Sequence, residues 1–116
     1  MPSVAVVGAG TMGSGIAQVA AMSGWTVELT DTSESFVRAQ LAKMRGQLDK
    51  LVEKGRLTAH ARDTTLGRLH FAVDAETLGG TDLVIEAIIE NHDAKVAVLR
   101  PIVAAARPDT IFASNT

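Results

Sequence analysis

The sequence predicts an α/β fold in which a mainly parallel sheet is wound on both faces by helices, as one domain over residues 1–116. Three observations carry this reading. Short apolar runs of strand length alternate along the chain with longer helical stretches. A loop with three glycines, Gly8 to Gly13, follows the first run, and an acidic residue, Asp31, follows the second. Strands separated by helices in this way build parallel sheets through right-handed crossovers.

Each element has its own local cause. Ser3 to Val7 (SVAVV) is short, apolar and β-branched, as a strand buried on both faces must be. Met12 to Ser23 reads as a helix of small residues that stops near Gly24. Thr26 to Thr30 (TVELT) alternates and reads as the second strand. Thr32 or Ser33 caps a long helix that runs to about Lys54 and stops at Gly55. Thr58 caps another helix to about Leu69, so two helices form an arm inserted after the second strand. His70 to Val73 and Asp82 to Ala87 (DLVIEA) are the next strands. Asn91 to about Ala106 is helical with a break or kink before Pro101, and Thr110 to Ala113 is the fifth strand.

Composition narrows the function classes. With 47% hydrophobic and 21% charged residues the chain can bury a core and is not intrinsically disordered. It has no cysteine, which excludes a disulfide framework, a thiolate zinc site and a thiol nucleophile. No apolar run approaches the ~18 residues of a membrane span. The N-terminus MPSVAVVGAG lacks the basic start of a signal peptide, so a soluble cytoplasmic domain is expected. A net charge of −2 argues against a general nucleic-acid binder. Residues 36–56 nevertheless carry a local charge of +4, from Arg38, Lys43, Arg45, Lys50, Lys54 and Arg56 against Asp49 and Glu53.

Gly8-Ala9-Gly10-Thr11-Met12-Gly13 is a GxGxxG, and its context makes it informative. A buried strand precedes it, a helix follows it, and Asp31 lies 18 residues past Gly13 at the end of the next strand. That is the fingerprint of a Rossmann-type dinucleotide site. Gly8 allows the tight turn, Gly10 lets the backbone approach a pyrophosphate, and Gly13 lets the helix pack closely. The helix start offers N–H groups and a positive dipole end to the phosphates. A carboxylate at Asp31 accepts ribose hydroxyls and repels a 2′-phosphate. Asp31-Thr32-Ser33-Glu34 holds no Arg or Lys, so the expected cofactor is NAD rather than NADP.

GAGTMGSGIAQVAAMSG, Asp31, DLVIEAIIEN (Asp82 to Asn91), Lys95 and IFASNT (Ile111 to Thr116) together resemble the N-terminal NAD-binding domain of 3-hydroxyacyl-CoA dehydrogenases. LDKLVEKGRL (Leu48 to Leu57) is similar to the helical arm of that family, and LVEKG is reminiscent of its 3-hydroxybutyryl-CoA and phenylacetate-pathway members. The resemblance covers essentially the whole chain. It implies oxidation of an (S)-3-hydroxyacyl-CoA to the 3-oxo compound with hydride transfer to NAD. By the same resemblance Gly8 to Gly13 and Asp31 bind the dinucleotide, and Glu90, Lys95 and Asn115 join them. Lys54 matches a lysine that contacts coenzyme A, whereas Gln47 stands where the family often has serine. The family's catalytic histidine, its glutamate partner and its helical, dimer-forming domain are expected beyond Thr116, in a dehydrogenase of roughly 280 residues or more. The full-length enzyme is then a homodimer acting on acyl-CoA, and this chain alone is inactive.

The remaining polar groups have plainer readings. His60, His70 and His92 match no catalytic position and no metal-ligand spacing, and no metal site is expected. Glu86, in an apolar strand, is read as a buried hydrogen-bonded carboxylate in preference to a cofactor ligand. Trp25 is assigned only packing, and Met12 packing beside the adenine side of the site. Two alternatives stay open: the NAD domain of a related hydroxyacid or sugar-acid dehydrogenase, and a non-catalytic dinucleotide-binding module.

Overall fold

The computed structural model describes residues 2–88 and 92–114, with 92–95 described by their backbone alone. Strand β1 (Ser3–Val7) leads into helix α1 (Thr11–Met22) and strand β2 (Thr26–Thr30). The arm follows as α2 (Glu34–Glu53) and α3 (Ala59–Gly67), then β3 (Leu69–Phe71), α4 (Ala75–Gly79), β4 (Leu83–Glu86), α5 (His92–Ala105) and β5 (Ile111–Ser114). The strands form one sheet in the order β3-β2-β1-β4-β5, and every pairing is parallel. That is a doubly wound sheet of Rossmann type. The chain works outward from β1 in one direction, then returns to its other side.

The strand periodicity of two sorts side chains between two layers. Val4 and Val6 of β1, with Val27 and Leu29 of β2, pack against Ala17 and Ala21 of α1 and Val37 and Met44 of α2. Ala5 and Val7 of the same strand, with Val84 of β4, pack instead against Leu78 of α4 and Ile102 of α5. Trp25 is half-buried against the first layer, in the packing role expected of it.

The caps read from sequence are formed. The Ser33 hydroxyl accepts the Phe36 N–H at 3.2 Å and the Thr58 hydroxyl accepts the Ala61 N–H at 3.0 Å, each such cap contributing about 1 kcal/mol. Gly55 has φ +70° just past the end of α2, the left-handed conformation that stops a helix there.

Four details differ from the sequence expectation. β3 begins at Leu69, which is buried and pairs with Val27, whereas Val73 is exposed beyond the last pair. β4 spans Leu83–Glu86, one residue shorter at each end than read, although the Asp82 N–H still bonds to the Ser3 carbonyl and the Ala87 N–H to the Val7 carbonyl. Between β3 and β4 lies α4, a five-residue helix capped by Asp74 through the Thr77 N–H; it is too short to show a helical period. Finally, α5 runs through Pro101 as one helix over nearly the span read from sequence, so the break or kink expected there is not a break. Pro101 is exposed, and half-buried Val98 and Leu99 and buried Ile102 hold the helix on the second layer.

Candidate functional site

The carboxyl ends of β1, β2 and β4 meet at the glycine loop. The Gly8 N–H donates to the Thr30 carbonyl at 2.9 Å and the Ala87 N–H to the Val7 carbonyl at 2.8 Å, so the loop is stitched to both neighbouring strands. Above it opens a cavity of about 390 Å³, walled by Gly8 and Gly10, by Asp31 and Thr32, by Phe36 of α2, and by Ile88 and Val98 on the far side. It lies where an open parallel sheet binds its ligand, outside the strand ends beside the point where the strand order reverses.

The three glycines are held for different reasons. Gly8 has φ +111°, and a Cβ there would lie 2.7 Å from the Ala87 carbonyl oxygen. At Gly13 a Cβ would lie 1.8 Å from the Gly8 carbonyl oxygen and 3.5 Å from Val6, so the first turn of α1 rests directly on the loop. Gly10 is different: its added Cβ would meet nothing within 4 Å. Neither φ (−67°) nor packing demands glycine at that position. The space a side chain would take there is left open beside the start of a helix that no side chain caps. A phosphate chain has the chemistry for this cradle, which combines backbone N–H groups, a positive helix end and no blocking Cβ.

Asp31 is committed to the loop as well as to the cavity. Its Oδ2 accepts the Ala9 N–H at 2.7 Å, and its Oδ1 accepts the Thr32 N–H at 2.6 Å and the Thr32 hydroxyl at 3.1 Å. Oδ1 thereby uses both of its lone pairs, while Oδ2 keeps one acceptor site. Ser14 adds a further tie, its hydroxyl donating to the Ala9 carbonyl at 2.7 Å. The bond to Ala9 is a role for Asp31 that the sequence does not suggest.

The other expected residues are distributed unevenly. Thr11 and Met12 are exposed on the first turn of α1. Met12, 56% exposed, lines a shallow apolar depression with Ile16, Val19 and Trp25 on the outer flank of α1, not the Asp31 cavity. Glu90 and Asn115 lie outside the described residues, and Lys95 is in α5 with its side chain undescribed. Lys54 is exposed at the C-cap of α2, about 30 Å along the helix from its start beside Asp31. The structure adds Phe36, Ile88 and Val98, which sequence reasoning did not single out. Phe36 had a usable signal, its place in the first turn after the acidic strand end; Val98 had none, because its position depends on how α5 crosses the sheet. His60 and His70 are exposed, and no cluster of metal-ligating residues occurs among the described residues.

The family model for the NAD-binding domain of 3-hydroxyacyl-CoA dehydrogenase matches residues 3–116. The chain belongs to this family. It is 44% identical over 111 residues to a probable 3-hydroxybutyryl-CoA dehydrogenase of Deinococcus radiodurans, covering 96% of this chain and 40% of that protein. It is 39% identical over 114 residues to the 3-hydroxyadipyl-CoA dehydrogenase of Escherichia coli, covering 98% of this chain and 24% of the relative. Among solved structures, the (S)-3-hydroxybutyryl-CoA dehydrogenase of Ralstonia eutropha superposes with a TM-score of 0.90 at 40% identity, over 100% of this chain and 41% of that one. The chain thus spans from about a quarter to about two fifths of the length of these relatives. The matched region is the NAD-binding part of the family, which agrees with an open Gly10 and an acidic Asp31 at one cavity. No helix among the described residues is long and apolar enough to cross a membrane.

Proposed function

We propose that this chain is the dinucleotide-binding part of an enzyme that oxidises the 3-hydroxyl of an (S)-3-hydroxyacyl-CoA. The substrate carbon gives a hydride and its hydroxyl a proton, and NAD, when bound, supplies the hydride acceptor. The observation that carries the reading is the pairing at one cavity of Gly10, with open space at its Cβ position, and the Asp31 carboxylate. In this reading the loop Gly8 to Gly13 cradles the pyrophosphate: Gly8 and Ala9, their N–H groups bonded to the Thr30 carbonyl and to Asp31, set its shape, and the N–H groups of Gly10, Thr11, Met12 and Gly13 at the start of α1 are the donors. Asp31 takes the adenosine ribose hydroxyls and excludes a 2′-phosphate, and Phe36 walls the adenine, with Ile88 and Val98 across the cavity from it. Glu90, Lys95 and Asn115 act at the other nucleoside. The proton acceptor for the 3-hydroxyl is assigned to no residue of this chain.

Lys54 is assigned to the coenzyme A phosphates. Support comes from the cationic excess of residues 36–56, and from a polar crevice of about 120 Å³ between α1 and α2 that carries Gln40, Lys43 and Gln47 of the same arm, with Gln18 of α1. The enzyme is further proposed to act in the cytoplasm as a homodimer, as the family resemblance implies.

The test is a titration of the chain with NADH and NADPH, read by Trp25 emission or calorimetry, beside Asp31→Asn. Saturable NADH binding, weaker NADPH binding and loss of that preference in Asp31→Asn are expected. A folded chain that binds the two nucleotides equally would overturn the assignment of Asp31. One that binds neither would overturn the cofactor reading itself.

A further inference from the structure

The buried carboxylate of Glu86 is used by none of the roles above. It is only 2% exposed, at the carboxyl end of β4, in a strand otherwise composed of Leu83, Val84 and Ile85. Such a group survives burial only if its oxygens are hydrogen-bonded. Both are. Oε2 accepts the Ile88 N–H at 2.5 Å, which curls the chain back just after the strand, and Oε1 accepts the Ser114 hydroxyl at 2.6 Å. Glu86 and Ser114 are register partners on the paired strands β4 and β5, so one side chain spans the last rung of that ladder.

The placement gives the contact its meaning. Asp31 lies at the carboxyl end of β2, on one side of the glycine loop; Glu86 and Ser114 lie at the carboxyl ends of β4 and β5, on the other. A dinucleotide laid across these ends with its adenosine at Asp31 must put its second nucleoside over β4 and β5. Ile88, held by Glu86, is also a wall of the cavity, and the adjoining Ala87 carbonyl is the group that a Cβ on Gly8 would strike. The glutamate therefore ties the far wall of the site, which lies against the glycine loop, to the end of β5.

We propose that Glu86 is a positioning residue for the second nucleoside of the bound dinucleotide. Its carboxylate clasps the turn after β4 to the end of β5 through Ile88 and Ser114, fixing where both segments emerge over the site. This rests on the dinucleotide-binding reading above. The clasp acts by hydrogen bonding, so a side chain that keeps both bonds keeps the function. Glutamine does so: its carbonyl accepts from the Ile88 N–H and its amide donates to the Ser114 oxygen.

The experiment compares NADH with ADP-ribose, which carries the adenosine and both phosphates but lacks the nicotinamide. Wild type, Ser114→Ala, Glu86→Gln and Glu86→Ala are titrated with each ligand, with thermal melting to establish that each variant is folded. Ser114→Ala, at the exposed end of β5, leaves the Ile88 bond in place and keeps the test open even if Glu86→Ala does not fold. The expected result is NADH affinity lowered about fivefold in Ser114→Ala, with ADP-ribose affinity held within about twofold and Glu86→Gln close to wild type. A general loosening of the fold would lower both ligands together and overturn the proposal. So would unchanged NADH binding in a folded Ser114→Ala. If wild type binds ADP-ribose and NADH, the cofactor reading stands whatever the variants do; if it binds neither, that reading fails and this one with it.

Discussion

The Oδ2 atom of Asp31 accepts the backbone N–H of Ala9 at 2.7 Å, across 22 residues of sequence. The residue proposed to select the cofactor is thus also the residue that shapes the glycine loop. A substitution there has two separable effects. Asp31→Ala loses the bonds to Ala9 and to Thr32, and is expected to lower stability by about 1–3 kcal/mol in a urea melt. Asp31→Asn keeps an acceptor for Ala9 and is expected to lose less stability while still losing the NADH preference. Equal stability for the alanine and asparagine variants would show that the bond to Ala9 contributes nothing.

Gly10 and Gly13 are expected to respond oppositely to alanine. At Gly13 the new methyl would lie 1.8 Å from the Gly8 carbonyl oxygen, backbone that cannot easily yield. A loss of about 3 kcal/mol or more follows, visible as a much lower melting temperature. At Gly10 the methyl meets nothing within 4 Å, so Gly10→Ala should melt close to wild type. It should still bind NADH at least about tenfold more weakly, because the methyl occupies the phosphate cradle. Calorimetric titration beside thermal melting separates the two cases.

The amino-terminal strand is pinned by a surface network. Asp82 accepts the Ser3 N–H at 2.8 Å and pairs with Arg107 at 2.7 Å. The Arg107 guanidinium, with the Ser3 donors, holds the Asp82 carboxyl below its ordinary value of 3.8. A carboxyl whose value is lower in the folded chain stabilises it fully above the unfolded value, and that contribution is lost as pH falls through the folded value. Asp82→Asn should therefore flatten the pH dependence of stability below about pH 4 and leave its shape near neutrality unchanged. Urea midpoints measured from pH 2 to 7 would show it.

Pro101 lies inside α5, where it supplies no N–H to the carbonyl one turn earlier. It is exposed, and half-buried neighbours and Ile102 carry the packing. Pro101→Ala restores the missing bond and is expected to raise stability by about 1–3 kcal/mol. A destabilised variant would mean that a bend at Pro101 is what seats Ile102.

Much of this was legible in advance because it is local. The strand SVAVV, the glycine loop, the caps at Ser33 and Thr58 and the stop at Gly55 each depend on a few adjacent residues, and each formed as read. What was not legible depends on register between distant segments. Nothing near Asp31 in sequence announces Ala9 as its partner, and Ser114 meets Glu86 only because β5 pairs with β4 in one particular alignment. The short helix α4 escaped for another reason: five residues hold barely more than one turn, leaving Asp74 as its only clear mark.

Strand β1 sends Val4 and Val6 into one layer and Ala5 and Val7 into the other, and it pairs with β2 on one edge and β4 on the other. Its ladder partners Val84 and Ile85 lie about 80 residues further along the chain. Neither layer is complete until that long loop has closed, so the two layers should melt in a single transition and the domain should fold slowly for its size, in milliseconds to seconds. The amides of Ala5, Val6 and Val7 should then be the last to exchange with deuterium, at a rate set by global unfolding. Within this domain, the strand that comes first in sequence is the one that must wait for most of the residues after it before it is held.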